Sequence, residues 1–129
     1  MEDPKRKEIL TKAIEHVCDE REKEYGSPII NYTNVALFWS TYINACFGTD
    51  IHLSADQAST MMGLQKVSRT IGVPFKSDTY EDIAGYFANA GEMKYLVEKE
   101  SRETGHYDET SSEEVIAKNC DVDTSEGYF

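Results

Sequence analysis

The sequence predicts an all-α protein, a bundle of about four helices followed by an acidic tail. Apolar residues recur at three- and four-residue steps in four segments, and Gly or Pro stands between successive segments. No segment alternates apolar and polar residues with a period of two, and no Asn-Gly or Asp-Gly pair joins two β-branched runs. The chain has 129 residues, 40% of them hydrophobic and 29% charged, which is typical of one soluble domain. We expect a helical domain over residues 1–105 and a mobile tail over residues 106–129.

Proline marks the starts of the first two predicted helices. Asp3-Pro4 offers the first helix an N-cap and a proline at the first helical position, and Gly26 suits the end of that segment. Its apolar stripe consists of Ile9, Leu10, Ala13, Ile14 and Val17. The second helix begins near Ser27-Pro28, is the most aromatic of the four, runs towards Cys46 and is broken by Phe47-Gly48-Thr49-Asp50.

The third helix has the clearest start, because Ser54-Ala-Asp-Gln57 fits a capping box with an acid in the first turn. Its apolar pattern continues to Ile71, and Gly72-Val-Pro74 ends it. The fourth helix is predicted to begin after Ser77-Asp78-Thr79 and to run to about Glu103, with Gly105 as the stop. Its apolar stripe consists of Ile83, Tyr86, Phe87, Ala90, Met93, Leu96 and Val97.

Charge and residue spacing exclude several classes of function. A formal net charge of −11 disfavours binding to DNA or RNA backbones and to anionic membranes. Residues 1–8 lack the apolar region of a secretory signal, and no stretch approaches the roughly 18 apolar residues of a spanning helix. The three cysteines and three histidines match no disulfide framework and no zinc-ligand spacing. We expect a cytoplasmic protein with free thiols, and we expect the first apolar stripe to bury Cys18.

The last 24 residues, 106–129, contain seven acids and one base, Lys118. One interpretation is a solvated, mobile tail. The other is an anionic segment that occupies a basic site on a partner protein, with Gly127-Tyr-Phe129 as an aromatic anchor.

Lys66 and Arg69 form the most informative feature of the helical part. From Gln57 to Ser77 there is no acid, yet this segment also holds Lys76, so positive charge is concentrated in an acidic chain. Because Lys66 and Arg69 are three residues apart, they share a helix face. Two such donors can hold a phosphate or a carboxylate. They can equally form ordinary surface ion pairs with acids of the first or fourth helix.

The segment that follows carries carboxylates at helical spacing. Asp78, Asp82 and Tyr86 succeed each other at steps of four, and Glu81 adds a third carboxylate. Neighbouring carboxylates can hold Mg²⁺ together with substrate phosphate and water. The alternative is that Asp78 and Asp82 only cap the helix N-terminus, which its dipole favours. Gly85 inside this helix indicates close packing against another helix or room for a ligand.

A third charged cluster ends the first helix, where Glu15, Asp19 and Glu22 follow each other at steps of four and three. Such a run is usually a solvated helix face. If this face lay opposite Lys66 and Arg69, the two would form the walls of a cleft.

Four motifs in order resemble a small all-α family of uncharacterised proteins that is frequent in bacteriophage genomes. They are Asp-x-Arg-x-x-x-Tyr-Gly (19–26), Trp-Ser (39–40), Met-Met-x-x-x-Lys-x-x-Arg (61–69) and Ser-Asp-x-x-x-Asp-Ile-Ala-Gly-Tyr (77–86). More distantly, the chain is similar to MazG-like nucleoside triphosphate pyrophosphohydrolases, whose helical acid pairs hold Mg²⁺ while water attacks the α-phosphate. The resemblance covers about residues 8–97 and implies a MazG-like helical outline. The sequence departs from the enzymes in that its third helix has no acid beyond Asp56, and its nearest pairs are Asp19-x-x-Glu22 and Asp78-x-x-Glu81.

The resemblance implies recognition of a phosphorylated nucleotide, with Mg²⁺-dependent hydrolysis to monophosphate and pyrophosphate as its catalytic form. The metal would be held by Asp19 and Asp82, with Glu15 or Glu22. Catalysis would use Asp82, Lys66 and Arg69, the two cations neutralising phosphate oxygens. The ligand-binding set is Lys66, Arg69, Asp19, Arg21, Tyr25, Trp39, Asp78 and Tyr86.

Because the acid pairs are incomplete, a second hypothesis is a phage binder without chemistry, which sequesters a nucleotide such as a host defence signal or blocks a host protein. A third is an interaction module that uses the acidic tail. The second and third helices carry more large apolar residues than a four-helix monomer covers easily, so we also expect a homodimer.

Overall fold

The computed structural model describes residues 2–20 and 27–105, and within the first range it leaves the side chains of Asp19 and Glu20 undescribed. Helix α1 spans Lys5–Ile14 and continues into a π-helical segment, Glu15–Glu20. Helix α2 spans Pro28–Phe47, α3 spans Ala55–Ser68 and α4 spans Ser77–Glu103. No strand occurs in these two ranges, so the predicted all-α class is confirmed. The predicted tail, residues 106–129, lies outside the described residues.

Helix α1 begins one residue later than the sequence suggests. Pro4 has an extended backbone (φ −64°, ψ 142°) and occupies the N-cap position without a side-chain cap bond. The prediction of Asp3 as the N-cap is therefore wrong. The carboxylate of Asp3 instead accepts a bond from Lys7 Nζ at 2.9 Å, an exposed pair one turn into the helix.

The π-helical segment changes which residues of the first helix share a face. In a π-helix each backbone amide bonds to the carbonyl five residues back instead of four, so the three- and four-residue steps assumed for Glu15 and Asp19 do not hold through this segment. Val17 packs inward against α4, whereas Cys18 is exposed. The expectation that the apolar stripe buries Cys18 is wrong.

Helix α2 begins with Pro28 at its first position and ends at Gly48, whose φ of 63° is left-handed. The loop after it is fixed by Asn44. The side-chain oxygen of Asn44 accepts bonds from Thr49 Oγ1 and the Ile51 amide, and its nitrogen donates to the Ile51 carbonyl, each at 2.8 Å. The predicted break at Phe47–Asp50 is confirmed.

Helix α3 starts with the predicted capping box. The Ser54 hydroxyl accepts a hydrogen bond from the backbone N–H of Gln57, and the side-chain Oε1 of Gln57 accepts one from the backbone N–H of Ser54. The helix ends at Ser68 rather than near Ile71, because the amides of Arg69 and Thr70 bond to carbonyls three residues back, each at 3.0 Å, and tighten the last turn.

Residues up to Leu96 form one compact unit. Its buried cluster consists of Tyr32, Ala36, Ala58, Tyr86 and Met93, with the Tyr32 and Tyr86 rings edge to face at 6.4 Å. Small residues let the helices approach closely. A Cβ added at Gly85 would lie 2.7 Å from Val17 Cγ2, so of the two alternatives for Gly85, close packing and room for a ligand, the structure has close packing. The Ser59 hydroxyl, fully buried, donates to the Tyr86 carbonyl at 2.8 Å.

The described residues 97–105, which include the end of α4, belong to a second unit. The Thr104 hydroxyl donates to the Glu100 carbonyl at 2.9 Å, and Gly105 has a φ of 71°. Gly105 is thus the stop that the sequence predicts. Among the helices described, none is both long and apolar enough to cross a membrane.

Candidate functional site

A groove of about 420 Å³ opens where the end of α3 approaches the start of α4. Residues at the end of α3, in the turn that follows it and at the start of α4 line the groove. Its lining residues are Lys66, Arg69, Thr70, Val73, Pro74, Phe75, Lys76, Asp78, Thr79, Tyr80 and Asp82.

The charges of the groove differ from those of the chain as a whole. Three cations and two carboxylates line it, whereas the chain carries a net charge of −11. The groove also lies at the N-terminus of α4, where the backbone amides of the first turn have no partner within the helix and the helix dipole is positive. Positive potential is therefore concentrated in the groove.

Lys66 and Asp82 join α3 to α4 across the groove. Lys66 Nζ lies 3.1 Å from Asp82 Oδ2, and the two side chains are 19% and 22% exposed. Because water screens this pair less than a surface pair, it fixes the distance between the helices more firmly than an exposed ion pair does. The structure therefore contains the ion pair that the sequence left open as one reading of Lys66.

The other two cations of the groove are more accessible. Arg69 is exposed and makes no ion pair with any residue in the described part of the chain. Lys76 Nζ lies 3.7 Å from Asp78 Oδ2, and both side chains are largely exposed. An anion in the groove would meet these cations at little cost, since neither has a buried ion-pair partner among the described residues.

An aromatic pair forms the apolar part of the groove. The rings of Phe75 and Tyr80 stack with their centroids 5.7 Å apart and their planes 26° from parallel. The sequence analysis missed both residues. Their spacing offers a signal, because they stand at the N′ and N4 positions of α4, where a hydrophobic staple fixes the entry of the chain into a helix.

Of the residues predicted to bind a ligand, Lys66, Arg69 and Asp78 line the groove together with Asp82. Trp39 and Tyr86 do not. Trp39 packs, partly buried, against the core cluster, and Tyr86 is a buried member of it.

Three metal ligands were predicted at the end of the first helix, and only Glu15 among them has a described side chain. Glu15 begins the π-helical segment and pairs with Lys12 at 3.3 Å on an exposed face. The side chain of Asp19 and the whole of Arg21, Glu22 and Tyr25 lie outside the described residues. Within the described side chains, no group of three or more His, Cys, Asp or Glu residues is arranged to hold a metal ion. The cleft between these acids and Lys66/Arg69 stays a prediction.

Glu81 occupies a different place from its neighbours Asp78 and Asp82. It is 8% exposed, accepts a bond from Ser77 Oγ at 2.9 Å, and lies 3.4 Å from His16 Nε2 in the π-helical segment. The two ends of the Asp78-x-x-Glu81 pair therefore diverge, one into the groove and one into the packed interface with the π-helix.

Comparison with known proteins identifies relatives in phages. The sequence profile of a domain of unknown function, DUF6378, matches residues 8–94. The Gene 55 protein of Mycobacterium phage D29 is 32% identical over 78 residues, and that of Mycobacterium phage L5 is 31% identical over the same length. These alignments cover 60% of this chain and 48% and 47% of the two phage proteins, so the chain spans about half their length. No solved structure matches the chain significantly. The resemblance to a phage family is confirmed, and the similarity to MazG-like enzymes stays a prediction.

Proposed function

The chain belongs to the DUF6378 family, whose description assigns no function, and on the chemistry of its groove we propose that it recognises a phosphorylated nucleotide. The single observation that carries this proposal is the joint presence of three cations and a stacked aromatic pair in one groove of an otherwise acidic chain. The cations can bind the phosphate groups of a nucleotide, and the aromatic pair offers its base a flat apolar surface to stack on.

The phosphate end of the ligand would lie against Arg69 and Lys76. A guanidinium group presents a planar fork of donors that matches two phosphate oxygens, and Arg69 has no described ion pair to give up. Lys76 stands at the start of α4, where the helix dipole adds to its charge. Lys66 is held by Asp82 and would contribute mainly through its charge.

The base would rest on the aromatic pair. Stacking of a base on an aromatic side chain contributes about 1–3 kcal/mol and tolerates any base. The groove volume of about 420 Å³ lies within the roughly 300–1,000 Å³ range of small-molecule sites. The net charge of −11 argues for a mononucleotide rather than a nucleic-acid strand, whose long backbone the rest of the surface would repel.

A second candidate function is Mg²⁺-dependent hydrolysis of a nucleoside triphosphate. The observation that favours it is that Asp78 and Asp82, one turn apart, both line the groove. Mg²⁺ needs only one or two carboxylates when substrate phosphates and water complete its octahedron, and it would supply charge neutralisation there. Asp82 would have to share its charge between Lys66 and the ion. Binding without chemistry makes no such demand, so we place it first.

Equilibrium dialysis of the full chain against a mixed nucleotide pool with Mg²⁺ tests both functions, with both sides read by mass spectrometry. We expect one nucleotide class to be enriched on the protein side. If it is recovered intact, the protein is a binder that sequesters it. Appearance of monophosphate and pyrophosphate that Asp78→Asn abolishes would instead make it a hydrolase.

Two matched variants each remove one positive charge. Arg69→Gln removes it from the groove, and Arg6→Gln removes it from an exposed position on α1. A hydrogen bond to a charged group is worth about 1.5–3 kcal/mol, so Arg69→Gln should weaken retention about 10- to 100-fold while Arg6→Gln leaves it unchanged. Equal retention by the two variants, or enrichment of no nucleotide, would refute the proposal.

A further inference from the structure

Helix α2 carries no charged residue in its 20 positions, although the chain as a whole has a net charge of −11. One face of this helix is buried through Tyr32, Ala36 and Ser40. The opposite face turns large apolar side chains to the outside. We propose that this outer face, the α2 stripe, is the contact between two copies of the chain in a homodimer.

The α2 stripe consists of Ile30, Leu37, Phe38 and Tyr42, which are 66%, 61%, 70% and 71% exposed. At 3.6 residues per turn these four positions share one side of the helix. An aromatic side chain buries about 150–250 Å² in a core, and an aliphatic one less, so together they leave on the order of 400 Å² open. A patch of this size is as large as the largest patch of a typical monomer, which is often an interaction site.

The polar groups along the helix add little cost to covering the stripe. The hydroxyls of Thr33 and Thr41 donate to carbonyls of their own helix, those of Ile29 and Leu37, at 2.5 Å and 2.8 Å. Both hydroxyls keep these hydrogen bonds when a second surface covers the helix, so covering it leaves neither donor unpaired. Asn34 stands on the same face, and its amide is both donor and acceptor. Such a group is complementary to a second copy of itself across a two-fold axis.

Charge favours a second copy over a basic partner as the occupant. A basic partner would be drawn to the acidic surface elsewhere on the chain, whereas an uncharged stripe offers it no electrostatic gain. Two copies of a chain with a charge of −11 repel each other, and they can approach closely only where both surfaces are neutral. An isologous contact of α2 with α2 meets this condition, because it places the same uncharged face on both sides.

The test compares Phe38→Lys with Phe47→Lys in the full chain by sedimentation equilibrium at micromolar concentration. The two phenylalanines lie on the same helix and are similarly exposed, at 70% and 66%, but Phe47 lies away from the stripe. Both variants reduce the net negative charge equally, so general repulsion falls in both. We expect wild type and Phe47→Lys at twice the monomer mass of 14.6 kDa. Each copy of Phe38→Lys would bring a lysine into the apolar contact, which should weaken association about 100-fold or more.

A photo-crosslinking side chain in place of Phe38 identifies what covers the stripe. Crosslinks between two copies within α2 support the proposal. Crosslinks inside a monomer to residues 106–129 would show that the acidic tail covers it, and crosslinks to a protein of the host cell but not to a second copy would show a different partner. Either of these results, a monomeric wild type, or equal masses for the two lysine variants would overturn the proposal. Circular dichroism of both variants checks that they remain helical.

Discussion

Two glycines of α4 should respond in opposite ways to the same substitution. Gly85 faces the π-helical segment, and a Cβ added there would lie 2.7 Å from Val17 Cγ2. Gly91 lies six residues further along the same helix, and a Cβ there would meet nothing within 4 Å. Neither glycine has a positive φ. Gly→Ala therefore adds the same methyl group to the same helix in a crowded place and in an open one.

The magnitude follows from two terms. Alanine is favoured over glycine in a helix interior by about 1 kcal/mol, and both variants gain this. Overpacking a close contact costs about 1–3 kcal/mol, and only Gly85→Ala incurs it. Val17 cannot swing away easily, because a β-branched side chain is stiff at χ1. We expect Gly91→Ala to stabilise by about 1 kcal/mol and to exceed Gly85→Ala by about 1–3 kcal/mol.

Urea and thermal unfolding followed by circular dichroism measure this difference. For a chain of this size, 1 kcal/mol shifts the midpoint by roughly 4 °C, so Gly91→Ala should melt about 4–12 °C above Gly85→Ala. A Gly85→Ala variant as stable as Gly91→Ala would refute the reasoning, because it would mean that α4 does not pack on Val17 in solution.

Two further stability predictions use the same unfolding measurement. Ser54→Ala removes the capping box of α3 and should destabilise by about 1 kcal/mol, whereas Ser27→Ala, at an N-cap with no side-chain bond, should change stability by a few tenths. Equal losses in the two variants would contradict this. A double-mutant cycle of Lys66→Met and Asp82→Asn should give a coupling free energy near 1 kcal/mol, since the pair is only about one-fifth exposed. A coupling of zero would show that the pair does not hold α3 against α4.

Local signals predicted the fold well where they depended on a few neighbouring residues. The Ser54–Gln57 capping box and the stops at Gly48 and Gly105 are all in the structure. Each has a short-range cause, such as a side chain that bonds its own backbone or a residue that tolerates a left-handed φ.

The errors arise where competing geometries differ by little energy. The three- and four-residue steps expected for residues 15–20 are those of an α-helix, whereas this segment is π-helical and its Val17 packs on Gly85. The apolar pattern of α3 extends to Ile71, but the backbone tightens at Arg69 and leaves Ile71 77% exposed. Hydrophobic periodicity describes a face and does not say where the backbone stops following it.

Only part of the groove was predictable from the sequence, because helical spacing relates residues of one helix and not residues of two. Lys66 and Arg69 could be paired from their helical spacing, and Asp78 and Asp82 likewise, but joining the two pairs needs the tertiary contact of α3 with α4. The roles predicted for Trp39 and Tyr86 rested on their being large aromatic residues, a property that core residues share. Phe75 was not predicted because it lies in the connection between two predicted helices, and Tyr80 because it lies outside the predicted apolar stripe of the fourth helix.

The most direct test of the central claim is a set of ¹H–¹⁵N correlation spectra of the full chain, titrated with a mixture of the four ribonucleoside triphosphates and, separately, with the unphosphorylated nucleosides. We expect shifts concentrated in residues 66–82 with the triphosphates and none with the nucleosides. Shifts confined to another part of the chain, equal effects from the nucleosides, or no shifts at millimolar ligand would contradict the assignment of the groove as a site for phosphorylated nucleotides.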